Sequence, residues 1–528
     1  MRPHGPSLAL RVASIAAGIA LTLPLAGCGP RQAAPVPDHV VETTSGHGNV
    51  AIFTPSDGIT VSQHTPANKW DKLVPEITKE LKALGFKGND IHAVSSSGLD
   101  RQSRDLQDYV VDHVTDTDGQ KKDDTPMTLV VAPAADADDV TRQYGDFAGQ
   151  TIAPSGDGAD QKTADGDADG AASDDGKQAG ADEAEDSGTD EDAKRDAAID
   201  RLVSALDLAK DNGMHVVVLS NAVKGVSADA FVRMATAELI GRAQAQQLVD
   251  KLQLVKTSPD NPKVIEVLLP YDPDGGAASD AFAAEAFAGV WKVLEPYFRD
   301  GRTVSASGTL TADSKNADWR QVAFDGRKAD LVRKELGARL ASDDGEVQKI
   351  DGIVAMNDFV ASATVDELAE LGYQGSAADI NPTITIGGIV GSIAGRRDLK
   401  RGAVPDPIKS PENDDAAADG DGAAKADASR WPIVTGYGGY LDAMPRIVEG
   451  KQWMTALTNR KQLAADIATV CDRLNRGQSL DSLASVSQGK VAGAGTAIVS
   501  EDLLAVNASN LKEALIDPGY ISMADAGL

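Results

Sequence analysis

At 528 residues, with 42% hydrophobic and 4% aromatic residues, the chain is long enough for two to four domains with sizeable cores. Its formal net charge of −29 arises from 80 acidic and 51 basic residues, and much of it lies in low-complexity runs. Because affinity for nucleic acid depends on Lys and Arg that neutralise phosphates, this charge argues against a nucleic-acid partner.

The first 27 residues have the pattern of an export signal. Arg2 and Arg11 accompany a short apolar run that ends in the letters LAGC, the last of which is Cys28. A basic start, a short apolar core and small residues at the cleavage point are typical of an export signal and not of a spanning helix. The ending resembles the bacterial lipobox, which implies a lipid on Cys28 and a location on the outer face of the cytoplasmic membrane. Residues 28–46 are then a flexible tether. The alternative is a plain signal peptide with a chance cysteine.

Cys471 is the second of two cysteines. If Cys28 carries lipid, Cys471 has no disulfide partner. Because Leu463, Ile467 and Leu474 fall at helical spacing around it, a buried inert thiol is predicted rather than a nucleophile.

From Asn49 onward, short apolar strands alternate with helices. The predicted strands are NVAIFT, DIHAVSS, MTLVVAP, MHVVVLS, KVIEVLLPY, RTVSASG, IDGIVAMND and WPIVTGY. Helices are predicted from Trp70 to Leu84, near 103–113, over AAIDRLVSALDLAKDNG, from Phe282 to Phe298, around 325–340, over SATVDELAELGY and over LDAMPRIVEG. Such strands indicate parallel sheets covered on both faces. Their number predicts an α/β fold with two doubly wound parallel-sheet lobes joined by a hinge.

Two segments interrupt this alternation, at about 136–196 and about 387–430. No large hydrophobic residue occurs between Ser155 and Arg195, so this stretch cannot bury a core. Both segments are predicted to be disordered insertions in loops, where extra length costs little free energy.

Motifs for catalysis or metal binding are absent from the sequence. No histidine follows His215, and there is no metalloprotease, esterase, P-loop or zinc-cysteine pattern. A calcium-loop pattern begins at Asp165 but has Gly176 where a bidentate Glu is needed. We therefore predict no enzyme activity, no metal and no cofactor. With 80 acidic residues, chance carboxylate pairs are certain, so a secreted hydrolase stays as the least favoured hypothesis.

Several stretches, in order along the chain, resemble the sugar-binding proteins of ABC importers, especially the xylose and multiple-sugar type. They are NKWDKLVPEITKELKALGF, ALDLAKDNGMHVVVLSNAV, AELIGRAQAQQLVDKL, AFAGVWKVLEPYFRDGRTVSASG, IDGIVAMNDFVASATVDELAELGYQG, PIVTGYGGYLDAMPRIVEG and TAIVSEDLLAVNASNLKEALIDPGYIS. The resemblance implies the type I periplasmic binding fold, which LacI-like repressors share in their effector domains. It places the N-terminal lobe at 47–234 with a return at 458–496, and the C-terminal lobe at 235–457 with a return at 497–528.

The resemblance also implies a ligand site between the lobes. Family members bind sugar hydroxyls with Asp, Asn and Arg, and stack aromatic rings on the sugar. The positions that align with or lie beside such residues are Lys69, Trp70, Asn221, Tyr271, Asn357, Asp358, Tyr437 and Tyr440.

Several of these positions depart from the family pattern. Only Asn357 and Asp358 keep the family's residues, while Asn221 and Phe287 each stand where the family has Arg. Residues 436–440 read GYGGY where the family has Gly-Gln-Asp-Ala-Asp. Each lost charged hydrogen bond removes about 1.5–3 kcal/mol. The ligand is therefore expected to be less polar or larger than a simple monosaccharide, or a modified glycoside.

Some of these residues have a second interpretation. Trp70 is also placed to be the first core residue of its helix, and Lys69 to be a solvated charge. Asp358 is also placed to cap the following helix, and Tyr440 to pack within the next one.

The first functional hypothesis is a monomeric, lipid-anchored receptor that closes on a sugar-like solute and docks on ABC permease subunits. The alternative is a sensory or scaffolding surface lipoprotein that keeps the binding-protein fold but has lost ordinary sugar binding.

Overall fold

The computed structural model describes residues 46–57, 64–114, 125–155, 185–341, 348–377 and 429–528. The predicted signal peptide, Cys28, the tether up to residue 45 and the calcium-loop pattern lie outside these residues. Within them, no helix combines the length and the hydropathy that crossing a bilayer requires.

Strands and helices alternate through most of the described chain. The strands are β1 (Asn49–Pro55), β2 (Ile91–Ser96), β3 (Met127–Val131), β4 (Thr151–Ile152), β5 (His215–Leu219), β6 (Ala222–Val223), β7 (Ala230–Arg233), β8 (Lys263–Val267), β9 (Leu269–Tyr271), β10 (Thr303–Val304), β11 (Ala323–Asp325), β12 (Gly352–Val354), β13 (Ile433–Tyr437), β14 (Met454–Leu457), β15 (Val486–Val491), β16 (Ala494–Ser500) and β17 (Leu504–Asn507). The helices are α1 (Trp70–Leu84), α2 (Leu99–Val114), α3 (Glu185–Asp211), α4 (Ala237–Leu252), α5 (Gly276–Arg299), α6 (Ala329–Arg339), α7 (Asp358–Glu370), α8 (Met444–Val448) and α9 (Arg460–Asn475). Short 3-10 turns occur at Gly88–Asp90, Thr141–Tyr144, Leu254–Lys256, Asn316–Gln321 and Leu441–Ala443.

The first lobe is built on a sheet with the strand order β15-β16-β7-β5-β3-β1-β2. All neighbouring strands are parallel except the hairpin β15–β16. Helices α1 and α9 pack together on one side of this sheet, and α2 and α3 on the other. Strand β3 is buried along its whole length, which explains its continuous apolar sequence.

The second lobe is built on a sheet with the order β10-β8-β12-β13-β14-β17, in which only β17 is antiparallel to its neighbour. Helices α4 and α5 approach each other very closely. A Cβ atom on Gly241 would lie 2.1 Å from the carbonyl oxygen of Ala286, and one on Gly289 would lie 2.0 Å from that of Glu238. Glycine at both positions therefore allows the two helix backbones to touch.

The chain crosses between the lobes after Arg233, after Leu457 and after Ser500. The predicted α/β fold with two doubly wound parallel sheets is confirmed by this topology. The last crossing comes after Ser500 and not after residue 496, because β16 pairs with β7 as far as Ser500 opposite Arg233.

The predicted bounds of the first insertion, about 136–196, are too wide. Residues 136–155 are part of the fold, and Val140, Tyr144, Phe147 and Ile152 are all buried there. The far end of the predicted insertion belongs to α3. Residues 156–184 lie outside the described residues, as does most of the second insertion, 378–428.

The Cys471 thiol is buried in the first lobe, as predicted, and burial raises its pKa.

Candidate ligand-binding cleft

The carboxyl ends of the parallel strands in the two lobes meet at the place where such folds bind ligands. Backbone strain marks both sides of this place. Ser220, with a φ of 60°, follows β5, and Met356, with a φ of 65°, follows β12. Each directly precedes an asparagine, Asn221 and Asn357. Left-handed conformations are uncommon for residues other than glycine and cluster at binding sites.

A segment of the first lobe, residues 138–149, fills the space between the lobes; we call it the cleft segment. Its first turn is held by Asp138, whose Oδ1 accepts hydrogen bonds from the backbone N–H of Val140 (2.9 Å) and Thr141 (2.8 Å). The Thr141 hydroxyl donates to Oδ2 of the same carboxylate at 2.6 Å. This local bonding orders the 3-10 turn Thr141–Tyr144.

Gln143 of the cleft segment is hydrogen-bonded by three groups of the second lobe. Its Nε2 donates to the carbonyl oxygen of Gly326 at 2.9 Å, and its Oε1 accepts from Nδ2 of Asn357 at 3.1 Å. The Tyr440 hydroxyl donates to the Gln143 carbonyl oxygen at 2.7 Å. An amide side chain thus occupies the polar positions of the cleft.

Two aromatic rings of the cleft segment pack into the two lobes. The Tyr144 ring lies 4.8 Å from Phe282 and 6.3 Å from Tyr437, between ring centroids, in the second lobe. The Phe147 ring lies edge-on to Trp70 at 4.9 Å in the first lobe. Both rings are buried, so the segment joins the two cores.

Asn357 and Asp358 keep the residues of the sugar-binding proteins that the sequence resembles. Both side chains are hydrogen-bonded to other groups of this chain. Asn357 is the N-cap of α7, where its Oδ1 accepts from the backbone N–H of Val360 at 2.9 Å. Asp358 accepts from Gln452 Nε2 (2.6 Å) and from the Thr455 hydroxyl (2.8 Å). Burial raises the pKa of Asp358 to about 6. The Asn357 side chain lies at the cleft and that of Asp358 lies behind it, and the polar atoms of both already have partners.

The glycine-rich turn after β13 explains why no carboxylate stands there. In the turn, a Cβ atom on Gly438 would lie 2.9 Å from the Tyr440 ring. Within β13, just before the turn, a Cβ atom on Gly436 would lie 2.3 Å from Oδ1 of Asp358. Gly438 and Gly439 also have positive φ values, of 124° and 63°. In this turn the backbone N–H of Tyr440 donates to Asp358 at 3.0 Å, which ties the turn to α7.

The other predicted site residues have different surroundings. Trp70 is a core residue of the first lobe, and Lys69 beside it is half-buried. Asn221 donates to the carbonyl oxygen of Pro133 at 2.8 Å. The Tyr271 ring lies edge-on to Trp319 at 5.5 Å.

The structure therefore brings Asn357, Tyr437 and Tyr440 together around the cleft segment, with Asp358 directly behind them. Phe287 is not at the cleft: it is fully buried in the second core, stacked on Trp291. The ligand roles assigned to all these positions stay predictions.

Gln143, Tyr144 and Phe147 are not among the predicted site residues, because the sequence pattern places the whole region 136–196 in a disordered insertion. A signal for them was present. Val140, Tyr144, Phe147 and Ile152 are large apolar residues that all precede the tract without large hydrophobic residues, 155–195.

Asp146 is a half-buried acid of the cleft segment. Burial, followed by the neighbouring Asp57 carboxyl, raises its pKa above the ordinary value, and Lys69 acts in the opposite direction. The folded protein therefore holds this proton more tightly than the unfolded chain does. The corresponding stability is present below the ordinary Asp pKa and is lost as the pH rises through the raised pKa.

We predict that Asp146→Asn makes the protein progressively more stable than wild type as the pH rises from 4 to 8. The gain should be about 1.4 kcal/mol for each pKa unit of the elevation. Urea unfolding at several pH values measures it. The control is Asp139→Asn, because the Asp139 side chain is 68% exposed in the same segment. A constant difference between Asp146→Asn and wild type across this pH range would contradict the prediction.

No family model and no curated protein matches the chain. Solved structures do match it. One is an ABC transporter solute-binding protein from Clostridium phytofermentans with bound β-D-glucose, at 16% identity and a TM-score of 0.47, covering 90% of this chain and 99% of that one. Another is a carbohydrate transporter solute-binding protein from Chloroflexus aurantiacus in complex with D-glucose, at 16% identity and a TM-score of 0.46, covering 90% and 97%.

A third is a periplasmic ribose ABC transporter protein from Conexibacter woesei, at 11% identity and a TM-score of 0.44, covering 89% of this chain and 95% of that one. These proteins are of the kind that the sequence resembles.

Proposed function

We propose that the chain is an exported, lipid-anchored receptor of an ABC importer that binds a sugar-like solute between its two lobes. The observation that supports this proposal is that residues at the carboxyl ends of strands in both lobes contact the same segment: Ser220, after β5, donates to the Phe147 carbonyl oxygen at 3.2 Å, and Asn357, after β12, donates to Gln143 at 3.1 Å. The two doubly wound lobes are linked by three crossings. This arrangement suits a hinge that opens and closes around a solute. The lipobox at Cys28 supports the location, and the ordered sequence resemblance supports a permease as partner.

The cleft has three polar groups that now bind Gln143 and that a solute hydroxyl could bind in its place. They are the Asn357 amide, the Tyr440 hydroxyl and the Gly326 carbonyl oxygen, which together provide donors and an acceptor. Phe282 and Tyr437 provide aromatic surface beside them. Since no unpaired carboxylate or Arg is among these groups, a glycoside or other solute with an apolar part fits better than a free monosaccharide.

A screen of monosaccharides, oligosaccharides and aryl glycosides on the mature chain tests this proposal. A solute present at 100 times its Kd should stabilise the folded protein by about 2.7 kcal/mol, seen as a raised unfolding temperature. Asn357→Ala should abolish this shift, after correction for its own effect on stability. The proposal fails if no solute stabilises either the wild-type chain or the double variant Gln143→Ala/Tyr144→Ala, in which the cleft segment no longer competes.

The second candidate function is that of a sensory or scaffolding lipoprotein that no longer binds a solute. One observation favours it: Gln143 and Tyr144 already occupy the polar and apolar parts of the cleft. A partner protein that co-purifies with the mature chain, but not with a chain lacking residues 156–184, would support this function.

A further inference from the structure

We propose that the cleft segment, residues 138–149, is a tethered peptide ligand of the interlobe cleft, and that the lobes close on it without any solute. The binding site of this fold would then recognise a peptide in cis, through Gln143 and Tyr144. The inference concerns the cleft alone and goes beyond the proposed function, because it holds whether or not the chain serves an importer.

The polar contacts of the segment are those that a ligand would make. By its position in the chain, between β3 and α3, the segment belongs to the first lobe. The partners of Gln143, however, are Gly326, Asn357 and Tyr440 of the second lobe. These bonds satisfy both ends of the Gln143 amide and its carbonyl oxygen in a place that is closed to water. A lobe that swung away would exchange these bonds for bonds to water, so each bond favours closure by its modest net contribution.

The apolar contacts also extend across both lobes. Tyr144 lies against Phe282 of the second lobe, and three residues later Phe147 lies against Trp70 of the first. A bound ring held between aromatic walls is a common feature of small-ligand sites. Here the chain supplies that ring itself.

The end of the segment is bonded to the first crossing between the lobes. The backbone N–H of Gly149 donates to the carbonyl oxygen of Ala235 at 2.7 Å, and the N–H of Ala235 donates to that of Phe147 at 3.1 Å. A Cβ atom on Gly149 would lie 2.5 Å from the Ser220 carbonyl oxygen, so glycine permits this approach. The segment therefore contacts the hinge as well as the cleft.

Among the described residues, other hydrogen bonds also join the lobes. The backbone N–H of Lys461 donates to the Tyr520 hydroxyl at 3.1 Å, and that hydroxyl donates to Oδ1 of Asn459 at 3.0 Å. The buried Tyr437 hydroxyl lies 3.4 Å from the Thr458 hydroxyl.

The backbone N–H of Ala67 donates to the Gly438 carbonyl oxygen at 3.0 Å, and His64 pairs with Asp442 at 2.6 Å. The His64 and Asp442 side chains are 35% and 38% exposed, so this pair contributes little to closure. The cleft segment supplies the three buried bonds of Gln143, in addition to the buried Tyr437–Thr458 pair.

The experiment replaces residues 138–149 with a Gly/Ser sequence of the same length in the mature chain. We expect an open protein with a larger radius of gyration in solution scattering. The synthetic peptide DDVTRQYGDFAG, which has the sequence of residues 138–149, should bind this variant in calorimetry and restore the compact radius. Peptides with Gln143→Ala or Tyr144→Ala should bind at least tenfold more weakly. A peptide with Arg142→Ala is the matched control, because that side chain is 69% exposed between two buried neighbours.

The inference is overturned if the folded Gly/Ser variant stays compact, or if it opens but does not bind the peptide. Should that variant fail to fold, hydrogen exchange in the full chain decides the question. Gln143→Ala/Tyr144→Ala should then speed exchange at Gly439 and Tyr440 at least tenfold relative to Arg142→Ala, and equal exchange would refute the inference.

Measurements of solute binding to wild type and to the Gly/Ser variant distinguish a failure of this inference from a failure of the proposed function. A solute that binds wild type and the Gly/Ser variant equally well would support the receptor and refute the tethered ligand. Peptide binding in the absence of any solute binding would do the reverse.

Discussion

Replacing Arg339 by methionine is expected to lower the free energy of unfolding of the second lobe by about 3–5 kcal/mol. The Arg339 side chain is 4% exposed and pairs at 3.4 Å with Glu266, whose side chain is fully buried. The guanidinium also donates to the carbonyl oxygens of Val267 (2.7 Å) and Val322 (2.8 Å). Without it, a buried carboxylate and two buried carbonyl oxygens lose a partner, although Ser307 still donates to Glu266. Tryptophan fluorescence in urea measures this loss, because four of the five tryptophans lie in the second lobe.

Arg333→Met on the same helix is the matched control. Arg333 is 34% exposed and pairs with Glu367 and with the exposed Glu370, so its charge stays partly solvated and its loss should cost no more than about 1 kcal/mol. Adding Glu266→Gln to Arg339→Met should recover part of the lost stability, since it removes the unpaired charge. Equal effects of Arg339→Met and Arg333→Met would contradict the argument.

Gly241→Ala should destabilise the second lobe by about 3 kcal/mol, the upper part of the usual range for overpacking. The added methyl group would lie 2.1 Å from the Ala286 carbonyl oxygen, which belongs to a helix backbone and cannot rotate away. Helices α4 and α5 would have to separate, and the core between them would loosen. The same urea titration measures this effect.

Gly337→Ala provides the comparison for that substitution. Its Cβ atom would meet only the end of the flexible Glu367 side chain, at 2.9 Å. Alanine favours a helix over glycine by about 1 kcal/mol, so Gly337→Ala should be neutral or stabilising. A loss of stability at Gly337 as large as that at Gly241 would show that helix separation is not the cause.

The fold could be predicted from the sequence because the pattern of a short apolar strand followed by a helix repeats along the chain. Apolar strands such as MTLVV are buried on both faces, and that burial produces the pattern from which parallel sheets are predicted. The exact crossings were harder to predict. Whether residues 497–500 continue β16 depends on pairing with β7, which is distant in sequence.

The cleft was predicted less well, for a different physical reason. Asn357 and Asp358 could be placed at a strand end from the local pattern, but their partners Gln143 and Gln452 lie far away in sequence. The cleft segment is short, polar on average and next to a tract that cannot form a core. Its burial depends on aromatic walls that two separate lobes supply, and a local window of sequence carries no trace of them.

The covalent attachment of the cleft segment, between β3 and α3, has a consequence for dose and response. The effective concentration of a tethered occupant is set by its linkage, at roughly millimolar for short flexible connections, whatever the concentration of the protein. Dilution therefore cannot empty the cleft. The apparent affinity of a competing solute would equal its intrinsic affinity multiplied by the fraction of molecules whose cleft is empty. Substitutions at Gln143 or Tyr144 would then lower the solute concentration needed to half-saturate the cleft, without changing any group that the solute touches.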